Sequence, residues 1–535
     1  MKDLFSKHNL KFDLAAGLVV FFVALSLCVG ISLASTSYKA TNGIEAFSGV
    51  VMPGLIAGII GGIVVGTFSN SRFGVSGPAA SLITIVVAAI IEFGGFDNGG
   101  FEKFTLAVML AGIMQFLFGV LRAGVFAYYI PFSVIKGMLA GIGITIFLKE
   151  LPHFFGYDEN PEGQTALDQP DGHNTFEELW LMLDNINFVA TGIAVLSLII
   201  LIIWGMKFVK NNKILSLIPG PLLAILVAIV ASLAVSGVPE LKLTGEHLLE
   251  VPTPGNFKEF KAMFYFPNFN AISDPAVWRV AFVIALVASI ASLLCVEATD
   301  KMDPHKGRTS MNRELRAQGI GNALSGLLGG LPITQVIVRS TANISAGAKT
   351  KMSAIIHGVF LLVFIIAIPG VLNSIPRAAL AAVLLLIGWK LASPKTILQI
   401  IKSGWEQFVP FFVVIIMMLA TDLLIGVGSG LAVAMAIILY RNLMFSFFVK
   451  ADQEEGKVHI HLSQHTTFLN KAGIMNRLNE VEDGKEVIID LSETISIDFD
   501  VREAIHDFVE GAKDRNQTVT IIDVEKLRKN VTMGH

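Results

Sequence analysis

The chain has 535 residues, 53% of them hydrophobic and 16% charged, with a mean hydropathy of +0.67. This is far too apolar for a soluble protein of that length. A net charge of -3 excludes both a nucleic-acid binder and a polyanion mimic. Runs long enough to cross a bilayer, about 20 residues each, are predicted to begin near Phe12, Ile44, Phe104, Val134, Ile186, Ile214, Val277, Ser353 and Ala379, with shorter or glycine-broken runs between them.

The first run follows Lys2, Lys7 and Lys11 and continues to Ser35 without a convincing processing site. It reads as a membrane helix with its N-terminus in the cytoplasm, not as a cleaved leader. Farther on, Gly58-Ile59-Ile60-Gly61-Gly62 precedes Arg72-Phe73-Gly74-Val75-Ser76-Gly77-Pro78-Ala79-Ala80-Ser81, a polar and glycine break followed by apolar residues to Ile91. Ser76 can cap a helix that starts at Pro78, because proline in the first position gives up a hydrogen bond the helix would not make. The amides of Ala79, Ala80 and Ser81 then face a cavity and offer an anion free donors and the positive end of the helix dipole. The plainer reading is an ordinary kink or loop turn.

The segment 150–178 carries Glu150, Asp158, Glu159, Glu162, Asp168, Asp171, Glu177 and Glu178 without Lys or Arg. Residues 301–316 carry Lys301, Lys306, Arg308, Arg313 and Arg316. The positive-inside rule puts the first outside the cell and the second in the cytoplasm. Cys28 and Cys295 both lie in apolar runs and give neither a disulfide framework nor a metal motif. His305 and His357 stand alone without ligand spacing.

A second break echoes the first: Gly326-Leu327-Leu328-Gly329-Gly330 precedes Leu331-Pro332-Ile333-Thr334-Gln335, with Arg339 four residues on. Paired broken segments in two halves point to an inverted-repeat transporter with its site at the midplane. A helix starting near Gln335 would carry Arg339 one turn in, and side chains lean toward the helix N-terminus, so the guanidinium can reach back to the same point. The predicted anion-binding set is therefore Ser76, Gly77, Pro78, Ala79, Ala80, Gln335, Val336, Ile337, Arg339 and Ser340. A cation at membrane depth is usually kept for function, but Arg339 could instead serve as a staple on carbonyls or on a carboxylate such as Glu297. Asp422 is either a contact in a moving domain or structural, and Met417 and Met418 read as lipid or packing contacts.

Past Ser446 the composition turns charged and soluble, with the boundary near Ala451-Asp452-Gln453-Glu454-Glu455-Gly456. A transport domain over 1–446 and a small α/β domain over 451–535 are expected. In the latter, Glu486–Leu491 and Thr518–Asp523 read as strands and Val501–Lys513 as an amphipathic helix.

These residues resemble the SulP sulfate permeases. The resemblance runs through nearly the whole chain and is strongest at Asn312-Arg313-Glu314-Leu315-Arg316-Ala317-Gln318-Gly319-Ile320-Gly321-Asn322, Ser325 to Pro332, Val338-Arg339-Ser340-Thr341-Ala342-Asn343 and Gly347-Ala348-Lys349-Thr350. Ser76-Gly77-Pro78 is similar to the break in that family's third segment, and the tail resembles its STAS domain. The resemblance implies about fourteen membrane segments in two inverted repeats of seven, with two half-helices and a core domain that moves against a gate domain. It also implies residence in the cytoplasmic membrane with the STAS-like tail in the cytoplasm, homodimers, and an anion held between the third and tenth segments.

Three departures bear on function. Many members carry a sodium- or proton-binding carboxylate where this chain has Ala291, one turn before Cys295; sodium or proton coupling therefore stays open, and no other cofactor or metal is expected. Glu297 is turned about 240° from Ala291 around a helix, which suits second-shell or cytoplasmic-end pairing. Ser26 replaces a proline and could touch substrate or bond back to its own helix. Phe499 replaces the phosphorylatable residue of related regulators. The expected function is secondary transport of a small inorganic anion of the bicarbonate or sulfate class, chloride included. An anion channel or a STAS-linked anion sensor is the alternative, a nucleobase permease is disfavoured by the arginine, and no enzyme motif is present.

Overall fold

In a bilayer every backbone N–H and C=O must be satisfied within the protein, so apolar runs fold as helices and any break needs a partner at the same depth. The computed structural model describes residues 6–37, 49–96, 99–160, 167, 174–211, 219–239, 241–243, 245–254, 256–444, 447–450, 457–512 and 515–523. Its helices are α1 (Lys7–Thr36), α2 (Met52–Phe68), α3 (Ile83–Glu92), α4 (Gly100–Val120), α5 (Phe132–Phe154), the short α6 (Thr175–Asp184), α7 (Phe188–Gly205) and α8 (Gly220–Val235). After these come α9 (Pro275–Met302), α10 (Met311–Leu327), α11 (Ile337–Ser345), α12 (Met352–Ala367), α13 (Arg377–Leu391), α14 (Pro394–Lys402), α15 (Trp405–Ala420) and α16 (Leu423–Met444). Seven spans are long and apolar enough to cross a membrane and five apolar helices are shorter; α10 and α11 bring the described segments to fourteen.

The predicted starts near Phe12, Phe104, Val134, Ile186, Val277, Ser353 and Ala379 fall within a few residues of observed helices. Those at Ile44 and Ile214 lie outside the described residues. The two long apolar helices after α14, α15 and α16, had no predicted start. Pro410 inside α15 and Asp422 between the two interrupt the apolar pattern, and Asp422 proves structural: its Oδ1 accepts from Leu424 N at 2.8 Å and Ile425 N at 2.9 Å.

Two groups of helices emerge. α1, α2, α4, α9, α10, α11 and α12 pack on one another, while α5 packs on α13 and α15, and α7 on α8 and α13. In the first group α10 lies so close to α4 that a side chain at Gly319 would sit 2.5 Å from Phe116 N and 2.7 Å from Gly112 O. This contact lets a weakly apolar helix sit in the membrane, because Glu314, Gln318, Asn322 and Ser325 are all turned inward and buried. α1 is pinned by Asp13, fully buried, which accepts from Lys349 N, Thr350 N and Thr350 Oγ1 at 2.7, 2.9 and 2.6 Å.

In the acidic segment Asp158 is clamped by two imidazoles, His153 Nδ1 at 2.6 Å and His247 Nδ1 at 2.7 Å. Burial pushes its carboxyl up, but the hydrogen bonds of the two histidines, with the charges of His153 and Arg377, outweigh this and leave it below the usual carboxylate range. Glu162, Asp168 and Asp171 of that segment lie outside the described residues.

The chain divides into two compact units, Met1–Leu431 and Ala432–His535. The predicted linker Ala451–Gly456 lies outside the described residues. In the second unit β3 (Phe447–Lys450) pairs antiparallel with β4 (Lys457–Leu462), and β4 pairs parallel with β5 (Glu486–Asp490), which pairs parallel with β6 (Thr518–Ile522). Helices α17 (Lys471–Asn479) and α18 (Phe499–Gly511) contribute Ile474, Leu478, Val501, Ile505 and Phe508 to a core with Ile460, Leu462, Val487 and Ile489. Phe499 is exposed at the first turn of α18, whose cap is Asp498.

Gly319→Leu is expected to destabilise the full chain by about 1–3 kcal/mol through overpacking, measured as thermal unfolding in detergent. Gly192→Leu, which meets open space, leaves the transition in place. A carboxyl with a depressed folded pKa stabilises above its unfolded value and loses that contribution as pH falls. Asp158→Asn should therefore cost about 1.5–3 kcal/mol at neutral pH, and the gap from wild type should close as the pH drops below the ordinary carboxylate range.

Candidate anion site between two helix starts

The two breaks meet. β1 (Ser76–Pro78) pairs antiparallel with β2 (Ile333–Gln335), in the register Ser76 to Gln335, Gly77 to Thr334 and Pro78 to Ile333. Pairing explains why both helices start later than predicted. Ser76 and Pro78 neither cap nor open a helix; extended Ala79 precedes a 3-10 turn over Ala80–Leu82, which leads into α3. Gln335 likewise belongs to the strand, Val336 occupies the N-cap position, and Arg339 sits in the first turn of α11. Each break would leave backbone groups unpaired at membrane depth, and the other break supplies the partners.

Neighbouring polar side chains lock the ribbon. Asn322 Oδ1 accepts from Ile333 N at 2.6 Å while its Nδ2 donates to Ile333 O at 2.9 Å and Gln115 Oε1 at 2.7 Å. Gln318 Nε2 donates to Ser76 Oγ and to Glu314 Oε1, both at 2.8 Å. Gln335 Nε2 donates to Thr299 Oγ1 at 3.0 Å. Ser340 Oγ donates to Val336 O at 2.8 Å and accepts from Val75 N at 3.0 Å. Ser76 and Ser340 are thus committed to the scaffold.

Beside the ribbon lies a cavity of about 70 Å³. Ala79, Ala80 and Ser81 line it from one helix start, and Thr334 to Val338 from the other. α9 adds Ala291 and Cys295, and Ile142, Met418 and Leu423 close the opposite wall. First-turn amides have no acceptor within their own helix, so two helix starts here concentrate N–H groups and partial positive charge. No charged side chain belongs to the lining.

Arg339 departs from the expectation. It is fully buried but absent from the cavity wall. Its guanidinium fills the space a side chain at Gly77 would occupy, and Nη2 donates to Cys28 Sγ at 3.3 Å. Nε and Nη1 have no hydrogen-bond partner among the described residues. Among the described residues neither a carbonyl nor Glu297 holds it, contrary to the staple reading. The fixed charge stands one residue along the chain from Val338, which lines the cavity.

The other candidates separate. Ala291 and Cys295 line the cavity. Ser26 is buried and points back to Val23 O at 3.5 Å, so it does not touch the site. Glu297 pairs with Lys301 at 3.2 Å toward the end of α9. His357 is buried with Nδ1 2.5 Å from Ala354 O. Met418 is a correction: read as a lipid or packing contact, it lines the cavity. Ile142, Leu423 and Met418 come from distant apolar helices and carried no distinguishing signal, whereas Thr334, next to Gln335 in the break, could have been named from the same reasoning.

Putative sulfate transporter YvdB of Bacillus subtilis is 29% identical over 459 residues, covering 85% of this chain and 77% of that protein. Bicarbonate transporter BicA of Synechocystis is 25% identical over 496 residues, covering 88% and 83%. Among solved structures, the transmembrane domain of a cyanobacterium bicarbonate transporter BicA aligns with a TM-score of 0.54 at 22% identity, over 80% of this chain and 98% of that one. SLC26A9 aligns with a TM-score of 0.65 at 15% identity, over 98% and 86%. These likenesses give the same fold, and with residues 10–417 matched by the model of the sulfate permease family, the chain belongs to that family.

Proposed function

We propose that this protein is a secondary transporter of a small inorganic anion and that the anion sits between the starts of α3 and α11. The observation that carries the reading is the cavity walled by two helix N-termini with one buried guanidinium beside it. Relatives named as sulfate and bicarbonate transporters support the same class. The amides of Ala79 to Ser81 and of Val338 bind and orient the oxyanion, since the Val336 N–H is already given to Val75 O at 2.9 Å, and Arg339 sets the local potential.

A monoanion balances that single fixed charge and a dianion exceeds it, so bicarbonate or chloride is favoured over sulfate. With Ala291 neutral, the cavity wall offers no carboxylate for sodium or a proton, which favours exchange or uniport unless a coupling ion binds elsewhere. The anion is exposed alternately to each side by movement of the α5, α13 and α15 group, which supplies Ile142 and Met418, against the group that holds the ribbon. In this reading the protein is a homodimer of the cytoplasmic membrane with its N-terminus and STAS-like tail, over 451–535, in the cytoplasm.

Labelled bicarbonate, chloride and sulfate uptake into proteoliposomes tests the site. Arg339→Ala is expected to lower uptake at least tenfold, and Arg339→Lys to restore part of it. Equal uptake by wild type and Arg339→Ala would remove the proposed site. Gly77→Ala should also lose uptake, because a methyl group there displaces the guanidinium. Currents too large for a turnover cycle would assign a channel instead, and a cellular response that vanishes on deletion of 451–535 while transport survives would assign a sensor.

A further inference from the structure

A second, larger cavity of about 300 Å³ lies where α9 ends, remote from the ribbon in sequence and lined by Tyr128, Glu297, Asp300, Lys301, Lys306 and Arg308 among others. Its two carboxylates are engaged. Glu297 pairs with Lys301 at 3.2 Å, and Asp300 accepts from Thr309 N at 2.6 Å and Thr309 Oγ1 at 2.7 Å.

The lining sets Lys301, Lys306 and Arg308 against Glu297 and Asp300, and Lys136 adds a further positive charge beside it. Lys136 of α5 and Lys301 both rest over the ring of Phe132, at 5.4 and 5.8 Å from its centroid. Lys136 is half-buried and experiences the charges of both Lys301 and Lys306. No carboxylate lies within ion-pair distance of Lys136, Lys306 or Arg308 among the described residues. Like charges gathered in a partly dry site repel unless an anion is shared between them.

The loop holds this arrangement at a cost. Asp303 Oδ1 accepts from His305 N at 2.7 Å and Oδ2 from Gly307 N at 3.0 Å, and Lys306 between them has φ of 53°, a left-handed conformation. That geometry is disfavoured for a residue with a side chain. It sends Lys306 Nζ to within 3.1 Å of Lys301 O at the cavity rim. The neighbouring connector exposes Phe126, Tyr128 and Tyr129, amphipathic rings of the kind that settle at the headgroup level of a bilayer.

We propose that this cavity binds the phosphate of an anionic phospholipid headgroup, held by Lys306 and Arg308 with the Tyr128 hydroxyl and drawn by the nearby charge of Lys136, while the acyl chains follow the exposed aromatic connector. The bound headgroup bridges α5 to the end of α9, one helix from each of the two groups, and so ties them together at this edge of the membrane. A soluble phosphate compound offers the same chemistry to the cations but none to the aromatic rim.

The test uses the full chain purified in detergent and delipidated to constant composition, with retained lipid counted by mass spectrometry. About one phosphatidylglycerol per chain is expected on wild type, falling at least threefold in the Lys136→Gln/Lys306→Gln/Arg308→Gln variant and unchanged in Lys395→Gln/Lys402→Gln. Arg308→Gln alone, at an exposed position, keeps the test decisive if the triple variant fails to fold, and it should lower retention in the same direction. Equal retention by wild type and these variants, or equal retention of phosphatidylcholine, overturns the proposal. So does a rise in unfolding temperature with inorganic phosphate that matches the rise with phosphatidylglycerol, which would assign the cavity to a soluble phosphate.

Discussion

The pairing of Ser76–Pro78 with Ile333–Gln335 is the contact on which the membrane unit depends. A chain that leaves helical geometry in mid-bilayer exposes donors and acceptors that lipid cannot satisfy. Two such breaks, brought together antiparallel, satisfy each other, and each then launches a helix away from the shared point. The same requirement that makes the ribbon necessary thus produces two helix starts beside one cavity, and the free N–H groups gathered there follow from backbone geometry before any side chain is considered.

Side chains then fix that geometry. Asn322 brackets both backbone groups of Ile333, and Gln318 links Ser76 to Glu314. These amides sit on α10, the polar helix that glycine contacts shelter against α4. The motif from Asn312 to Asn322 is therefore a support for the ribbon rather than a ligand set. Its polar residues are tolerated in the membrane because each finds a partner, Asn312 with Gly124 N, Arg313 with Phe68 O, Arg316 with Asn312 O, and Glu314, Gln318 and Asn322 within α10, with α4 or with the ribbon.

Arg339 shows how a charge can act on a site it does not line. Its guanidinium is enclosed against Gly77 and Cys28, with two nitrogens unpaired among the described residues. A buried cation so poorly compensated raises the potential around it, and the nearby cavity is small and free of ionised side chains. The wall opposite the ribbon is apolar, supplied by Ile142, Met418 and Leu423.

Sequence alone determined the membrane class, most helix positions, the two breaks, Arg339 and the α/β tail, because each is a local property: apolar run length, glycine and proline placement, a charge where none is cheap, and alternation with period two. It could not set the two helix starts, since Pro78 and Gln335 satisfy the rules for a helix terminus as well as those for a strand, and only the arrival of the distant partner decides between them. Nor could it aim Arg339 at Cys28 or bring Met418 to the cavity. Residues 28, 77 and 339, like 142, 291 and 418, are neighbours only after the helices pack. The direction of a side chain within a helix follows from the backbone, but what it meets is a property of tertiary structure.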